Sequence, residues 1–208
     1  LLDKYDILLV CDEVMAGWGR TGRLFAFEHA GIVPDIVCMA KGLTSSYVPL
    51  GAVAMRDKIA RHFDENVFWG GLTYNAHSFA CAVALATINV LIDEGMVENA
   101  ARLGPIMNGH MKALKAKHPS VKAHRNIGLF GMVDLQRDEE GTPMAPYNGT
   151  HPAMAAFSKR LADNGLFTFC RWGSFMCNPP LCITEEQLAE GFAIIDDALE
   201  VCDAVVTG

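Results

Sequence analysis

The amino-acid sequence predicts an α/β fold, in which part of a large parallel-sheet domain precedes a small C-terminal α+β domain. Three short apolar runs lie within the first 55 residues, at 7–11, 36–40 and 51–55, and are typical of buried strands. Residues 75–94 are apolar almost all round, as in a helix buried inside a larger protein. After Pro119 the pattern changes to short strands, loops and helices.

The first two apolar runs, ILLVC and IVCMA, are each followed by chemically useful side chains. Asp12 and Glu13 come after the first run, and Lys41 comes after the second. The segment between them is rich in glycine and arginine and ends at Pro34, which predicts a loop with a short helix. The third run leads into a polar helix from Asp57. The opening residues resemble the end of a helix, so the chain is expected to begin in mid-domain.

Residues 96–117 have an amphipathic helical pattern with lysines near the end, where the helix dipole favours cations. Pro105 is expected either to bend this helix or to begin a new first turn. The domain boundary is placed within the same helix, which gives domains of residues 1–105 and 106–208.

The remaining sequence predicts the small domain. Strands are expected at 129–135 and 165–170, with a loop at 141–152 and a helix near 153–164 between them. A final helix is expected from Thr184, because TEEQ forms a capping box.

Composition limits the classes of partner. The 208 residues carry a formal net charge of -7 and have no long basic run, which argues against a nucleic-acid surface or an anionic membrane surface. The apolar stretches are too short to cross a bilayer, and no signal peptide opens the chain, so a soluble, cytoplasmic protein with a small-molecule partner is expected.

Seven cysteines are scattered through apolar segments without a CxxC pair or histidines at ligand spacing. This pattern favours reduced thiols buried in the core, and no metal site is expected.

Two buried strands that end near Asp12 and Lys41 place an acid and an amine along one sheet edge, where open α/β folds bind ligands. Pyridoxal phosphate needs such a pair, because a lysine amine attaches to it and a carboxylate keeps its ring nitrogen protonated. Strand-end acids and lysines are common, however, and a structural ion pair explains the same two residues.

The surrounding segments, LLVCDEVMAGWGRTGR and PDIVCMAKGLTSSYVPLGAV, resemble the signature of class III (ω-amino acid) aminotransferases. The resemblance implies pyridoxal 5'-phosphate as cofactor and the transferase fold of type I. It implies that Asp12 pairs with the pyridine nitrogen, that Val14 packs on one ring face, and that Lys41 forms the Schiff base and shuttles the proton. Ser46 stands where many members have glycine, which is expected to alter the turn after the lysine.

Two further segments resemble the family. GGLTYNAHSFACAVALAT implies that Thr73 reaches the cofactor phosphate of a neighbouring subunit, and hence a homodimer or homotetramer; the alternative is a plain helix cap. GLFTFCRWGSFMCNPPLCIT implies that Arg171 binds the acid group of the substrate, because a guanidinium offers a planar fork to a carboxylate or sulfonate. The alternative is a surface arginine beside a strand.

Other conspicuous side chains are given lesser roles. Glu13 and Arg20 are expected to fix the loop by hydrogen bonding, and His77 to be a satisfied core histidine. Trp18 and Trp69 either wall the substrate pocket or pack between subunits.

The C-terminal segment TFCRWGSFMCNPPLCITEEQLAEGF resembles the taurine–pyruvate aminotransferase branch. This implies transfer of an amino group from an ω-amino acid or amine, such as taurine or β-alanine, to pyruvate or another keto acid. An aminomutase, a decarboxylating transaminase and a non-catalytic structural or interaction module remain alternatives. The resemblance covers nearly the whole chain but only the later part of the family pattern, so the phosphate cup is expected elsewhere and the chain alone is expected to be inactive.

Overall fold

A computed structural model describes residues 1–207, which fold as two compact units. The first unit is Leu1–Glu98, and the second begins at Asn99. The domain boundary placed at residue 105 on sequence grounds stays a prediction.

The first unit contains a three-stranded sheet in the order β1-β2-β3. Strands β1 (Val10–Asp12) and β2 (Ile36–Met39) are parallel, and Asp12 lies opposite Cys38. Strand β3 (Ala52–Met55) pairs with β2 in the antiparallel direction, so the sheet is mixed where a parallel one was predicted. The connection from β2 to β3 contains no α-helix, and antiparallel neighbours need no helical crossover.

The helices of the first unit are short, apart from one. Helix α1 (Asp57–Ala60) is a single turn at the predicted polar helix, and α2 (Ser78–Asp93) occupies most of the predicted 75–94 segment. Four 3-10 turns complete the unit, at Asp3–Tyr5, Ala26–Ala30, Lys41–Thr44 and Arg61–Asp64.

The strands were predicted to be buried on both faces and the long helix to be buried inside a larger protein, and several of their apolar side chains are exposed in this chain. Val10 of β1 is 53% exposed, and Phe79 and Leu85 of α2 are 63% and 62% exposed. An apolar run indicates which residues tend to be buried. It does not show which other residues cover them. Among the described residues no single helix is both long and apolar enough to cross a membrane. The helix pair Ser78–Asp93 and Met96–Lys117, which is bent by 58°, meets the length and composition criteria only when taken together.

The second unit is an antiparallel sheet packed with helices, in agreement with the predicted α+β domain. Its helices are α3 (Met96–Lys117), which starts in the first unit, α4 (Pro152–Asp163) and α5 (Glu185–Asp203). Its strands are β4 (Val121–Ile127), β5 (Phe130–Leu135), β6 (Cys170–Arg171) and β7 (Ser174–Cys177), in the order β4-β5-β7-β6.

The strands of this unit differ from the prediction in two places. Strand β4 was not predicted, because its sequence VKAHRNI mixes charged and apolar side chains. The strand expected at 165–170 is only the short β6, which forms a hairpin with the unpredicted β7. Pro105 lies inside α3 and does not end it; its ring is on an exposed side of the helix.

The core of the second unit forms where one face of each helix meets the sheet. Met107 and Met111 of α3, Val133 of β5, Phe157 of α4 and Leu199 of α5 have no exposed area. Burying such side chains removes apolar surface from water at about 25 cal/mol per Å², and this is the main force that holds the unit together.

The predicted capping box at the start of α5 is confirmed. The Gln187 N–H donates to Thr184 Oγ1 at 3.2 Å, and the Thr184 N–H donates to Gln187 Oε1 at 3.0 Å.

Two carboxylates of α5 hold a buried histidine at the end of α3. His118 Nδ1 lies 2.6 Å from Asp203 Oδ2, and its Nε2 lies 3.0 Å from Asp196 Oδ1. Lys117 also pairs with Asp196. These contacts tie the end of α3 to α5.

The cysteines are less buried than predicted. All seven are free thiols, but only Cys177 and Cys202 are buried, whereas Cys81 and Cys182 are exposed. Within residues 1–207, no group of three or more His, Cys, Asp or Glu side chains is placed to hold a metal ion.

Candidate active site

An acid and an amine lie at the same edge of the sheet, where the two parallel strands end. Asp12 is the last residue of β1, and Lys41 follows the end of β2 by two positions. Both side chains are exposed. The Val14 N–H donates to Asp12 Oδ1 at 3.0 Å, which fixes one carboxylate oxygen and leaves the other available.

Among the described residues, neither Asp12 nor Lys41 has an oppositely charged partner. The ion pairs formed among residues 1–207 include neither Asp12 nor Lys41. The alternative of a structural ion pair between Asp12 and Lys41 is therefore not found in the part of the chain that the structure describes. An unpaired acid and an unpaired amine at one sheet edge can bind a ligand that offers a cationic ring nitrogen and an electrophilic carbon.

The backbone at the lysine is strained. Lys41 has φ +43°, and Ser45 and Ser46 have φ +49° and +63°, in the left-handed region that favours glycine. Each such non-glycine residue costs on the order of 1–3 kcal/mol and persists only where its surroundings enforce it. Ser46 thus adopts the turn conformation for which many family members use glycine.

Close packing beneath the lysine enforces this turn. A Cβ at Gly42 would lie 2.8 Å from the Cβ of Trp18, so no larger residue fits without displacement. Trp18 is only 9% exposed, and its ring makes an edge-on contact with Phe25. Trp18 therefore packs under the lysine turn as part of the frame of the site.

Glu13 fixes the loop between the two strands, as predicted. Its buried carboxylate accepts hydrogen bonds from the Ala26 N–H at 3.0 Å and from the Phe27 N–H at 2.9 Å. Its own N–H donates to the Cys38 carbonyl at 2.9 Å, which extends the pairing of the parallel strands by one residue. Arg20 in the same loop is partly buried, and burial lowers the pKa of its guanidinium.

Asp35 is a second buried carboxylate, which sequence reasoning missed. It accepts from the Leu9 N–H at 2.9 Å and pairs with Lys58 at 2.7 Å and Arg56 at 3.5 Å. The hydrogen bond from Lys58 is the largest cause that lowers the pKa of this carboxyl. Asp35 therefore fixes the start of β1 against the segment that follows β3. Its only signal in the sequence is an acid between Pro34 and an apolar run.

Thr73 lies in the turn at 73–76 before α2, and its side chain is exposed. It does not cap α2, because His77 occupies that position and makes no side-chain capping bond. His77 is itself exposed, so the expectation of a buried core histidine was wrong. Among the described residues the Thr73 hydroxyl has no hydrogen-bond partner, and its reach to a neighbouring subunit stays a prediction.

Arg171 lies in the second unit, at the end of β6, whereas Asp12, Lys41 and Thr73 lie in the first unit. Its guanidinium carbon lies 4.4 Å from the ring centre of Trp172. Five other arginines pair with carboxylates, but no ion pair within the described residues includes Arg171. The donors of Arg171 are thus available to an anion.

The family follows from a comparison of the whole chain with known proteins. The family model described as "Aminotransferase class-III" matches residues 1–199. The chain belongs to the class III aminotransferases. This membership confirms the family resemblance drawn from the strand-end motifs.

Curated relatives of this class III chain span different amine substrates in their names. The diaminobutyrate–2-oxoglutarate transaminase of Halomonas elongata is 34% identical over 99% of this chain and 45% of the relative. The putrescine–pyruvate aminotransferase of Pseudomonas aeruginosa is 33% identical, over 99% of this chain and 45% of the relative. The chain thus spans about half the length of the curated relatives it matches.

Solved structures show the same fold. The taurine:2-oxoglutarate aminotransferase of Bifidobacterium kashiwanohense, solved with pyridoxal phosphate and glutamate, superimposes with a TM-score of 0.94 and 37% identity. The match covers 99% of this chain and 46% of that one. The S-selective transaminase of Arthrobacter sp. gives a TM-score of 0.90 at 27% identity, over 98% of this chain and 46% of that one. The chain has the type I transferase fold, as predicted.

Proposed function

We propose that this chain carries the lysine and the ring-binding acid of a pyridoxal-phosphate-dependent aminotransferase. The enzyme transfers an amino group from an ω-amino acid or amine to pyruvate or another keto acid. One observation carries the proposal: Asp12 and Lys41 lie at the same edge of a parallel strand pair, and neither has an ion-pair partner among the described residues.

The donor set fits the cofactor chemically. Pyridoxal phosphate would supply a protonated ring that draws electrons from the substrate carbon that bears nitrogen. Asp12 supplies the carboxylate for the ring nitrogen, and the hydrogen bond from the Val14 N–H orients it. Val14 lies two positions after Asp12 and is only partly exposed, so it is proposed to supply an apolar contact for the ring.

Lys41 is the residue that moves the proton. With the cofactor bound, Lys41 Nζ would take a proton from the substrate carbon that bears nitrogen and later return one. The strained φ of +43° and the packed Gly42 below it hold the lysine backbone in one conformation. A fixed backbone limits the number of positions that the long lysine side chain can occupy, which favours a short path for the proton.

Thr73 is proposed to hold the phosphate of the cofactor in a second copy of the chain. Its hydroxyl is exposed and has no partner among residues 1–207, and it lies just before the N-terminus of α2. The N-terminus of a helix carries partial positive charge, which favours a phosphate nearby. A homodimer or homotetramer is the assembly this role requires.

Arg171 is proposed to bind the acid group of the donor. Support comes from its unpaired guanidinium and from the similarity to the taurine:2-oxoglutarate aminotransferase. Taurine and β-alanine are therefore the first donors to test. Since two relatives are named for putrescine and for diaminobutyrate, compounds with two amino groups are also candidate donors.

Borohydride labelling tests the cofactor assignment. Because the chain alone is expected to be inactive, the enzyme that contains it is mixed with pyridoxal phosphate, reduced, digested and mapped by mass spectrometry. Label is expected on Lys41, with loss of the visible absorption band in Lys41→Ala and retention in Lys4→Ala, which removes another exposed lysine of the same unit. Label on a different lysine, or on none, would contradict the assignment, and the second result would favour a non-catalytic module.

Half-reactions test the donor class. Taurine, β-alanine and n-propylamine are each added to the loaded protein, and the decay of the visible band is followed. Arg171→Ala is expected to weaken the two acidic donors by about tenfold or more, since hydrogen bonds to charged groups contribute about 1.5–3 kcal/mol. Arg61→Ala, which removes an exposed arginine of the first unit, is the matched control. Equal losses for acidic and neutral donors would refute the role of Arg171.

A further inference from the structure

The tip of the β6–β7 hairpin is held rigidly next to Arg171. Trp172 and Gly173 connect the two strands, and Trp172 has φ +53°. A Cβ at Gly173 would lie 2.9 Å from the backbone nitrogen of Met144, and the Leu135 N–H donates to the Gly173 carbonyl at 2.6 Å. These close contacts fix the backbone from which the indole ring projects.

The indole ring of Trp172 contacts two other side chains. The Arg171 guanidinium carbon lies 4.4 Å from its ring centre. The ring centre of Tyr147 also lies 4.4 Å away, with the planes tilted by 46°. Tyr147 belongs to the loop that follows the fully buried Met144, so the loop is anchored in the core of the second unit.

A guanidinium held by an aromatic ring differs from one held by a carboxylate. A carboxylate uses the N–H donors, whereas an aromatic face attracts the cation and leaves the donors along its edge unoccupied. Other arginines within residues 1–207, such as Arg125 and Arg160, pair with carboxylates, whereas Arg171 contacts an aromatic ring. The ring restricts the side chain of Arg171 without competing with an anion for its donors.

We infer that Trp172, backed by Tyr147, is a positioning residue that presents the Arg171 guanidinium to the acid group of the amine donor. This inference rests on the proposed function and deepens it. Trp172 sets how strongly acidic donors are preferred over neutral ones, and it acts only through Arg171.

Two substitutions at Trp172 test the inference in the loaded protein. Trp172→Leu keeps apolar bulk but removes the aromatic face, and Trp172→Phe keeps a face. In Trp172→Leu the KM for taurine is expected to rise about two- to fivefold, the range of an exposed cation–π contact, with kcat within about twofold. The kcat/KM for n-propylamine is expected to stay unchanged, and Trp172→Phe is expected to restore most of the lost taurine binding.

A double-mutant cycle with Arg171→Ala separates the possible outcomes. If Trp172 acts through Arg171, adding Trp172→Leu to Arg171→Ala leaves the KM for taurine where Arg171→Ala put it. If Arg171→Ala itself does not weaken taurine, the proposed donor site is refuted. If Arg171→Ala weakens taurine but Trp172→Leu does not, only the role of Trp172 is overturned.

Two further results complete the test. Equal losses for taurine and n-propylamine in Trp172→Leu would indicate a general structural role and overturn the inference. If that variant does not fold, Tyr147→Leu carries the same test, since Tyr147 is 78% exposed and its replacement removes only the backing of the indole ring. A taurine-specific rise in KM in Tyr147→Leu supports the inference, and no rise overturns it.

Discussion

Replacing Glu13 by glutamine tests whether the loop between the first two strands is held by a buried carboxylate. Both carboxylate oxygens accept backbone hydrogen bonds, from Ala26 at 3.0 Å and Phe27 at 2.9 Å. Glutamine has the same shape but only one accepting oxygen, so its amide group would face one of the two N–H donors. One charge-assisted bond is lost, at about 1.5–3 kcal/mol, and a buried N–H is left without an acceptor. Glu13→Gln is therefore expected to lower the free energy of unfolding by about 2–4 kcal/mol.

Urea unfolding followed by tryptophan fluorescence measures this loss, since two of the three tryptophans, Trp18 and Trp69, lie in the first unit. Glu28→Gln is the matched control. Within residues 1–207, one Glu28 oxygen accepts a backbone hydrogen bond, from the Phe25 N–H at 2.8 Å, and the glutamine oxygen can keep it. A control loss below about 1 kcal/mol is expected. If the two variants lose the same amount, the two-oxygen argument for Glu13 is refuted.

Three further predictions concern packing and ionisation. Gly42→Ala places a methyl group 2.8 Å from the Trp18 Cβ and is expected to lower the free energy of unfolding by about 1–3 kcal/mol in the same urea assay. The control is Gly71→Ala, whose methyl group would have nothing within 4 Å, and it is expected to change the free energy of unfolding by less than about 0.5 kcal/mol. Burial raises the pKa of Cys177 to about 12, so iodoacetamide at neutral pH is expected to alkylate the two exposed cysteines and to reach Cys177 only in urea. The neighbouring lysine and histidine lower the pKa of Asp196, so its contribution to stability is present above roughly pH 4 and is lost as pH falls through the lowered pKa.

Each of these predictions has a result that contradicts it. Equal stability of the two glycine variants would show that the turn at Gly42 yields without cost. Alkylation of Cys177 at the rate of the exposed thiols would show that its side chain opens to solvent. For the last prediction, Asp196→Asn should flatten the acid limb of a stability curve between roughly pH 2 and 5, and an unchanged limb would assign acid sensitivity to other carboxylates.

Local signals in the sequence predicted the helices of the second unit well. The 96–117 pattern matches the bounds of α3, and the capping box at Thr184 places the start of α5, because both signals act within a few residues. Strand β4 was missed because exposed charged residues interrupt its apolar positions. The direction of β3 could not be predicted either, because strand direction depends on how the connection folds and not on the strand itself.

At the candidate site, too, local features could be predicted from the sequence and long-range contacts could not. The sequence motif located Asp12 and Lys41, and the parallel register brings both to one edge. The partners of Asp35 and the contact between Trp172 and Tyr147 could not be predicted, since they join residues far apart in the chain. Long-range contacts leave no periodic pattern, so they were visible only in the folded chain.

Adjacent acids at the end of β1 have opposite roles, and strand geometry explains why. Successive side chains of an extended chain point to opposite sides. The N–H of Glu13 still bonds to β2, so Asp12 and Glu13 belong to the same extended segment. Glu13 is 3% exposed and holds the loop, whereas the exposed Asp12 keeps an oxygen for a ligand. The order of Asp12 and Glu13 therefore matters. Exchanging them would bury the shorter aspartate carboxylate, which would not reach the N–H groups of the loop, and would leave the longer glutamate carboxylate at the proposed cofactor site.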